Sequence, residues 1–288
     1  MPELPEVETT VRDLRKEVLK RTFVDVWTDL EKIIKNDSFC NFKKNIRGKK
    51  IEKVRRRAKN ILFDLSCQKT LLIHQKMTGH LLIGKWKRKD NNWVSSDEEM
   101  SKKVNAYIHL LFFLDNGQMI ALSDLRKFAK VELWETKELE SLLDKNLGPE
   151  PLKENFTFEK FKELLEHKKG KIKQVLMNQN IISGIGNIYS DEILFEAKIN
   201  PFRKVPDLKE KELLKIYRAV VKILKKGIEL KGESFADWRN IKGKKGSFDD
   251  YRKVYKREGE KCFCCGNKIV RKKIGGRSTH FCPNCQKI

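Results

Sequence analysis

Four cysteines near the C-terminal end of the sequence have the spacing of a metal site. Cys262 and Cys265 form one C-x2-C pair, and Cys282 and Cys285 form a second pair after 16 intervening residues. Thiolate pairs at this separation are typical of tetrahedral zinc sites. Because sulfur fills all four positions of such a site, we predict one structural Zn(2+) ion. Cys264 lies inside the first pair and is interpreted as a bystander.

The segment between the two cysteine pairs, GNKIVRKKIGGRSTHF, is basic. It predicts two short strands that meet at Gly275-Gly276. A hairpin that is closed by zinc can present cations to phosphate groups. Arg277 directly follows the two glycines and precedes the second cysteine pair, so we expect it to be the most rigidly held of these cations. A solvated basic hairpin is the alternative interpretation.

The overall charge of the chain favours a polyanionic partner. Lys and Arg number 63 against 40 Asp and Glu, which gives a formal net charge of +23. Such a surplus is typical of proteins that bind nucleic acid, although lysine-rich genomes give basic proteins of every function. No apolar run approaches the roughly 20 residues that cross a bilayer, and the N-terminus lacks the order of a signal peptide. We therefore expect a cytoplasmic protein that does not contact membranes.

The first half of the chain predicts a sheet with a helix at its front. At 5–19, apolar residues recur at helical spacing behind Pro5, a residue that suits the first position of a helix. Residues 22–134 predict mainly antiparallel strands, and Asn116-Gly117 is typical of a hairpin turn. The polar residues 85–105 predict an exposed, irregular loop.

The second half predicts helices. LGPEP at 147–151 marks the change, and amphipathic helical patterns follow. The stretch KIKQVLMNQNIISGIGNIYSDEILFEAKINP predicts a helix, a tight glycine-containing turn and a second helix that ends at Pro201. Residues 239–250 predict a mobile loop.

Four motifs in collinear order resemble the bacterial formamidopyrimidine-DNA glycosylases, a family grouped with the endonuclease VIII-like repair enzymes. The motifs are PELPEVET at the start, RRRAKNILF at 55–63, GIGNIYSDEILFEAKINP at 184–201 and GRSTHFCPNCQ at 276–286. The resemblance spans the whole chain. It implies an α+β fold with an N-terminal antiparallel β-sandwich with flanking helices, and a C-terminal helix-two-turn-helix domain with a zinc-finger β-hairpin.

The resemblance also implies a division of labour along the chain. We expect a catalytic β-sandwich domain at 1–135, a hinge or linker at 136–152, a helix-two-turn-helix DNA-binding domain at 153–238, and a lesion-capping loop with the zinc-finger hairpin at 239–288. The expected partner is double-stranded DNA that contains a damaged base or an abasic site, bound by a monomer in a basic cleft between the domains. The expected location is the cytoplasm, in association with the nucleoid.

In this family the N-terminal proline is the nucleophile, which gives the unusual start MPELPE a function. If Met1 is removed, Pro2 presents a secondary amine that can attack the sugar C1′ and form a Schiff base. The resemblance gives Glu3 the role of proton donor and Glu6 a supporting role. The implied function is a bifunctional DNA glycosylase and AP lyase of base excision repair, which removes oxidised purines and then cleaves by β,δ-elimination.

The resemblance assigns DNA contacts to residues that, taken alone, are typical of solvated or core positions. Lys59, His74 and Arg277 match phosphate contacts near the lesion, of which Lys59 also serves β-elimination and Arg277 serves δ-elimination. Asn187 and Tyr255 match further contacts to the DNA backbone.

Three side chains of this family fill the gap that the extruded base leaves in the duplex. Their matches in this sequence are Met77, Arg126 and Phe128. Without the resemblance, core packing is the simpler interpretation of Met77 and Phe128.

The chain departs from the family pattern at KGES (231–234) and at VYKR (254–257), and the predicted capping loop is unusually basic. These departures leave the preferred lesion open. Two alternatives stand beside the oxidised-purine interpretation. One is an endonuclease VIII-like enzyme for oxidised pyrimidines, and the other, of a different class, is a catalytically inactive zinc-containing DNA-binding module.

Overall fold

The computed structural model describes residues 1–90, 92–234 and 237–288, and these form two compact units. The first unit comprises Met1–Leu143 and Leu230–Asp249, and the second comprises Asp144–Glu229 and Asp250–Ile288. The four functional segments predicted from the sequence differ from these units in their bounds, and they remain a prediction.

In chain order, the helices and strands are α1 (Leu4–Val18), β1 (Phe23–Thr28), α2 (Phe39–Ile46), β2 (Ile51–Arg57), β3 (Asn60–Leu65), β4 (Lys69–His74), β5 (His80–Gly84), β6 (Lys87–Lys89), β7 (Asn92–Val94), α3 (Glu98–Ser101), β8 (Ile108–Leu114), β9 (Met119–Ser123), β10 (Lys130–Glu135), α4 (Thr136–Asn146), α5 (Phe158–Leu165), α6 (Ile172–Met177), α7 (Asn187–Glu196), α8 (Glu210–Glu229), α9 (Phe248–Tyr251), β11 (Val270–Ile274) and β12 (Arg277–Phe281). Single 3₁₀ turns lie at Glu31–Ile33, Lys103–Asn105 and Val205–Asp207.

The first unit is a β-sandwich, as the sequence predicts. One four-stranded sheet has the order β1-β8-β9-β5 and the other has the order β10-β4-β3-β2, and all of these pairings are antiparallel. Apolar side chains from both sheets share one core, in which the ring of Phe23 lies 6.5 Å from that of Phe63 and 5.2 Å from that of Phe112. The apolar side chains on the inner face of each sheet are therefore buried against those of the other sheet.

Helix α1 covers this core with one apolar face. Val7, Val11, Leu14 and Val18 are completely buried and belong to the same cluster as the sheet residues. Their spacing places them on one face of a helix with 3.6 residues per turn. The predicted helix at 5–19 is confirmed at Leu4–Val18.

The prediction of an exposed, irregular loop at 85–105 is wrong in part. The segment contains the β6–β7 hairpin and the short helix α3. Trp86 is buried, and the ring of Trp93 packs 5.3 Å from Trp27 and 5.8 Å from Phe113 on the outer side of the sheet. The segment is polar on average, but its two tryptophans pack against apolar residues of the sheet and thereby order it.

Residues 239–249 belong to the first unit and pack against its other parts, whereas the sequence predicts a mobile loop at 239–250. Ile241 and Phe248 are buried, as is Trp238 just before them. The amide of Ile83 donates to the carbonyl of Ile241 at 2.9 Å, and the side-chain amide of Asn105 donates to the carbonyl of Gly243 at 3.2 Å. Phe235 and Ala236 lie outside the described residues.

The second unit contains the predicted helices and the predicted hairpin. Helix α6, a glycine-containing turn and α7 follow one another as the sequence indicates, and α7 is buried along almost its whole length. Strands β11 and β12 pair antiparallel, and Gly275 and Gly276 turn the chain between them with φ of 53° and 74°. No helix formed by the described residues combines the length and the apolar composition that a bilayer-spanning helix needs.

Candidate functional site

Two buried carboxylates lie at the N-terminal end of α1. Glu3 is the N-cap of the helix, and Glu3 and Glu6 form a reciprocal capping box in which the Glu3 amide donates to Glu6 Oε2 at 2.7 Å. The two side chains are only 2% and 1% exposed. Pro2 is buried beside them, while Met1 is partly exposed. The capping box therefore fixes a carboxylate directly next to residue 2.

The second oxygen of Glu6 contacts a segment that is distant in sequence. Glu6 Oε1 accepts a hydrogen bond from the amide of Glu233 at 2.8 Å. Gly232 has φ of +81°, and a Cβ at this position would lie 2.8 Å from Glu6 Oε1. Only glycine combines this backbone conformation with this close approach. Sequence reasoning did not assign a role to Gly232 or Glu233, because nothing in the local pattern links them to the N-terminus.

Lys59 lies in the tight turn that joins β2 to β3. It is 6% exposed, and Ala58 before it has a left-handed φ of 54°. Arg56 on the same hairpin donates to Glu8 Oε2 of α1 at 2.9 Å. The pKa of Glu8 is lowered: burial alone would raise it, but the charges and hydrogen bonds of Arg56 and Arg12 outweigh burial. The hairpin that carries Lys59 is thus tied to the same helix that carries Glu3.

His74 ends β4 and is held as a neutral imidazole. Its Nδ1 accepts a hydrogen bond from the amide of Lys76 at 2.9 Å, so the ring proton resides on Nε2. Its pKa is lowered to about 3, first by burial and then by the charges of Lys76, Lys59 and Lys130. At neutral pH, Nε2–H is therefore a hydrogen-bond donor without a positive charge.

Met77, Arg126 and Phe128 come from two loops that one buried carboxylate fastens together. Asp124 Oδ2 accepts from the amides of Phe128 and Ala129, both at 2.8 Å, and Oδ1 accepts from the hydroxyl of Thr78. Thr78 directly follows Met77. Phe128 is 52% exposed, and the guanidinium carbon of Arg126 lies 4.7 Å from the centre of its ring. The three side chains predicted to act together are thus brought together, by Asp124, which the sequence did not reveal.

In the second unit, Asn187 is the first residue of α7. The turn before it is closed by Gln179, whose side chain accepts from the amide of Gly184 and donates to the carbonyl of Ile185, each at 2.8 Å. The side-chain oxygen of Asn187 is buried, and it accepts no hydrogen bond from any residue that the structure describes. The N-terminal end of a ten-residue helix is a place where anions are favoured.

Helix α7 also positions Tyr255. The buried carboxylate of Glu192 accepts hydrogen bonds from the amides of Lys253, Val254 and Tyr255 at 2.7, 2.9 and 2.8 Å. Its pKa is raised because burial, the largest effect, outweighs these three donors. The sequence showed Glu192 only as part of a motif, without this contact.

A second carboxylate of α7 positions the strand that begins with Arg277. Asp191 Oδ1 lies 2.6 Å from Lys173 Nζ, and both side chains are at most 1% exposed. Lys173 Nζ also donates to the Ser278 carbonyl and to the Thr279 hydroxyl, each at 2.9 Å. The amide of His280 donates to Asp191 Oδ2 at 2.9 Å. A completely buried ion pair therefore fixes β12 directly behind Arg277.

The four predicted metal ligands form one cluster. The Sγ atoms of Cys262, Cys265, Cys282 and Cys285 lie within 4.8 Å of one another, and Cys264 is exposed and outside this group. Such spacing and an all-sulfur donor set fit one tetrahedral Zn(2+) ion and leave no position for water.

A buried glutamine behind the cluster orients its second cysteine pair. Gln286 Oε1 accepts from the amide of Cys282, and Gln286 Nε2 donates to the carbonyl of Ile199, both at 2.9 Å. The side-chain amide of Asn200 donates to the Gln286 carbonyl at 2.8 Å. The metal knuckle is therefore joined to the segment that follows α7.

Comparisons with known proteins agree over the entire length. The family models for the formamidopyrimidine-DNA glycosylase N-terminal domain, the formamidopyrimidine-DNA glycosylase H2TH domain and the zinc finger found in FPG and IleRS match residues 1–131, 147–238 and 259–288. The chain belongs to the formamidopyrimidine-DNA glycosylase family.

Curated relatives and solved structures support this assignment. The formamidopyrimidine-DNA glycosylase of Pelotomaculum thermopropionicum is 40% identical over 291 residues, and that of Carboxydothermus hydrogenoformans is 40% identical over 288, each with 100% of both chains covered. The Lactococcus lactis Fpg in complex with DNA that contains an abasic site has a TM-score of 0.87 at 32% identity. The same protein in complex with FAPY-dG-containing DNA has a TM-score of 0.86 at 32% identity. Both structural comparisons cover 99% of this chain and 100% of the other.

The two segments that depart from the formamidopyrimidine-DNA glycosylase pattern each contain a lysine with a left-handed backbone. Lys231 and Lys256 have left-handed φ of 58° and 53°. A left-handed backbone is uncommon for residues other than glycine.

We expect Gly232→Ala to destabilise the protein by about 1–3 kcal/mol, because it adds a steric clash to a left-handed backbone. Gly117→Ala is the matched control, since Gly117 has φ of +75° but nothing within 4 Å of an added Cβ. Chemical denaturation measures both. The Glu233 amide should also exchange hydrogen faster in Gly232→Ala only. Equal costs for the two variants would contradict a specific contact with Glu6.

We expect Lys173→Met to weaken α7 and β12 by about 3–5 kcal/mol, because it leaves the Asp191 charge buried without its partner. Lys173→Met/Asp191→Asn should recover part of this loss. All five tryptophans lie in the first unit, so hydrogen exchange of peptides from α7 and β12 is the suitable measurement.

Lys162→Met is the control for the buried pair, since Lys162 forms an ion pair with Glu210 on the surface. It should leave the exchange of α7 unchanged. If Lys173→Met exchanges as slowly as the unaltered protein, the buried pair does not fix β12.

We expect His74 to stay neutral, with its proton on Nε2, throughout pH 5–8. Because its pKa is lowered on folding, His74 takes up a proton below about pH 6.5 in the unfolded chain but stays neutral in the folded chain. Folding stability therefore falls as pH decreases through this range. Nitrogen-15 NMR of the imidazole measures the tautomer and charge directly. His74→Gln should reduce the stability lost between pH 7 and pH 5. A His74 midpoint between pH 6 and 7 would disprove this assignment.

Proposed function

We propose that this chain is a bifunctional DNA glycosylase and AP lyase that removes oxidised purines, formamidopyrimidines and 8-oxoguanine, from double-stranded DNA. It works as a monomer in the cytoplasm, on the nucleoid. The observation that carries the proposal is the fixed end of α1, where two buried carboxylates lie next to Pro2. Full-length membership of the glycosylase family supports it.

The chemistry begins with removal of Met1, which converts the Pro2 nitrogen from an amide into a secondary amine. An α-amino group has a pKa near 8, so about a tenth is neutral at pH 7. The nitrogen lone pair attacks C1′, the bond from C1′ to the base breaks, and the base leaves with the bonding electrons. Glu3 donates a proton to the sugar ring oxygen as the ring opens, and the amine proton is released. The product is an iminium ion between Pro2 and C1′.

Strand cleavage follows from the properties of a secondary amine. The iminium nitrogen carries no proton, so it stays cationic and accepts electrons. Loss of a proton from C2′ expels the 3′ phosphate, and loss of a further proton from C4′ expels the 5′ phosphate. Lys59 and Arg277 stabilise the charge of the departing phosphates, and Glu6 holds Glu3 in place through the Glu3 amide.

Side chains with donors or positive charges bind the DNA backbone. His74 offers an uncharged Nε2–H, and Lys59 offers an ammonium group on the same unit. In the second unit, Asn187 lies at the positive end of α7, and Tyr255 is fixed by Glu192. Each is a contact to phosphate, which positions the duplex without reading its sequence.

Base extrusion costs a few kcal/mol, and filler side chains offset this cost. Phe128 is exposed in the protein alone, so its ring is accessible to the duplex. An aromatic ring can enter a base step, Met77 adapts to the remaining space, and Arg126 can donate hydrogen bonds to the unpaired base. Because Asp124 holds the loops of these three side chains together, all three can act on the same opened base pair.

The zinc ion has a structural role in this proposal. It would be held by the four cysteines of the cluster, Cys262, Cys265, Cys282 and Cys285. When bound, it would cross-link the two cysteine pairs at the base of the hairpin. The chain itself does the rest: β11 and β12 present Arg277, and Gln286 fixes the orientation of the second cysteine pair.

The second candidate function is excision of oxidised pyrimidines, because the departure at Lys231 lies next to Gly232 and Glu233, which contact Glu6. Cleavage of duplexes with 8-oxoguanine opposite cytosine and with thymine glycol, at equal concentrations, distinguishes the two. Faster cleavage of the 8-oxoguanine duplex supports the proposal. Faster cleavage of thymine glycol supports the second candidate.

We expect borohydride to trap a covalent adduct with an abasic duplex, because reduction of the iminium makes the bond to Pro2 permanent. A matched protein with an uncleavable N-terminal extension should give no adduct, since its Pro2 nitrogen is an amide. Glu3→Gln should keep the adduct at an abasic site and lose base excision. Gel electrophoresis and mass spectrometry of the N-terminus read out all three. Absence of an adduct from protein that begins at Pro2 leaves only a zinc-containing DNA-binding module.

A further inference from the structure

A cavity of about 480 Å³ in the first unit is lined by lysines that have no assigned role. Lys32 and Lys35 lie at and just after the first 3₁₀ turn, and Lys76 and Lys127 come from the loops after β4 and β9. The remaining lining is the apolar surface of Met77 and Phe128, together with Arg126 and with Met1, which is absent from the processed enzyme of the proposed function. The lining thus combines four lysine side chains with apolar side chains.

The four lysines of this cavity differ from other lysines of the unit in their ion pairing. None of the four lysines forms an ion pair with another residue in the described parts of the chain. By contrast, Lys69 and Lys130 of the same unit pair with Glu135 and Glu132. Like charges around one cavity repel each other, and an anion that enters it removes this repulsion.

The two loop lysines have a fixed relation to the side chains that fill the duplex. Lys76 directly precedes Met77, and Lys127 directly precedes Phe128. Both have a left-handed backbone, with φ of 54° and 60°, so each loop turns sharply at the lysine. The contact between Thr78 and Asp124 joins the two loops. Each inserting side chain is therefore accompanied by an ammonium group.

We propose that Lys76 and Lys127, assisted by Lys32 and Lys35, bind backbone phosphates of the duplex beside the opened base pair. The ligand class is the phosphodiester of double-stranded DNA. The inference rests on the proposed function and extends it, since these residues take no part in the chemistry described above. A phosphate carries no information about the base, so the contacts serve damaged and undamaged duplex alike.

The left-handed backbone provides a variant that separates charge from folding. Lys76→Gly and Lys127→Gly remove the charge and place glycine where it is sterically favoured. Lys76→Gly also keeps the amide that donates to His74. Lys20→Gly is the matched control, because Lys20 is exposed, has φ of 66° and does not line the cavity.

Fluorescence anisotropy with an undamaged duplex and with a duplex that contains a stable abasic-site analogue measures the affinity at about 50–200 mM salt. Each lysine that contacts a phosphate contributes about 0.9 to the slope of log affinity against log salt. Lys76→Gly/Lys127→Gly should therefore lose about 1.8 from the slope for both duplexes. The unaltered protein should bind DNA more tightly than this variant at low salt, and the ratio of their two affinities should fall about tenfold between about 50 and 200 mM salt. Lys20→Gly should keep the original slope.

An unchanged slope in Lys76→Gly/Lys127→Gly overturns the inference, and so does an equal loss in Lys20→Gly, which would indicate a nonspecific effect of net charge. A loss confined to the abasic duplex also overturns it, because that result assigns the lysines to the lesion. Failure of the proposed function is distinguishable. In that case the unaltered protein gives no borohydride adduct, whatever the lysine variants bind.

Discussion

The carboxylate of Glu6 is the constraint on which the candidate catalytic end depends. One oxygen accepts from the amide of Glu3 and the other from the amide of Glu233, 227 residues away in sequence. The Glu6 carboxylate therefore positions the N-terminal residues of the proposed reaction, the nucleophile Pro2 and the acid Glu3. The same carboxylate also positions Glu233, near the start of the segment that follows α8. Such an arrangement needs Gly232, because a side chain there would occupy the space of the carboxylate.

Buried acids play a similar part in the second unit. Adjacent residues of α7, Asp191 and Glu192, point their charges at two different segments: Asp191 binds Lys173 and the strand behind Arg277, and Glu192 binds the amides at 253–255. A buried charge is costly unless it is fully satisfied, so each carboxylate accepts only a narrow range of geometries. The helix whose first residue is Asn187 thereby also fixes Tyr255 and Arg277.

The basic surplus of the chain has two structural forms. Part of it is neutralised in ion pairs such as those of Arg56 with Glu8 and Lys173 with Asp191. Another part lies around the cavity beside Met77 and Phe128, on lysines that form no ion pair with any residue that the structure describes. Lysines also occupy left-handed backbone positions, at 76, 127, 231 and 256 among others. The fold thus accommodates a net charge of +23 because some of the basic side chains lie in ion pairs and others lie at the surface of the cavity.

The sequence by itself determined the helix α1, the antiparallel strands, the helix–turn–helix around GIGNIY and the four metal ligands, because each depends on short-range periodicity or on the spacing of like residues. It also determined the family, through motifs that stay together along the chain. Only the tertiary structure decided that Trp86 and Trp93 order the segment 85–105, that 238–248 is packed down, and that Asp124, Gln286, Gly232 and Lys173 support the site. These contacts join residues tens to hundreds of positions apart, and a local pattern carries no record of which distant group a buried polar atom will meet.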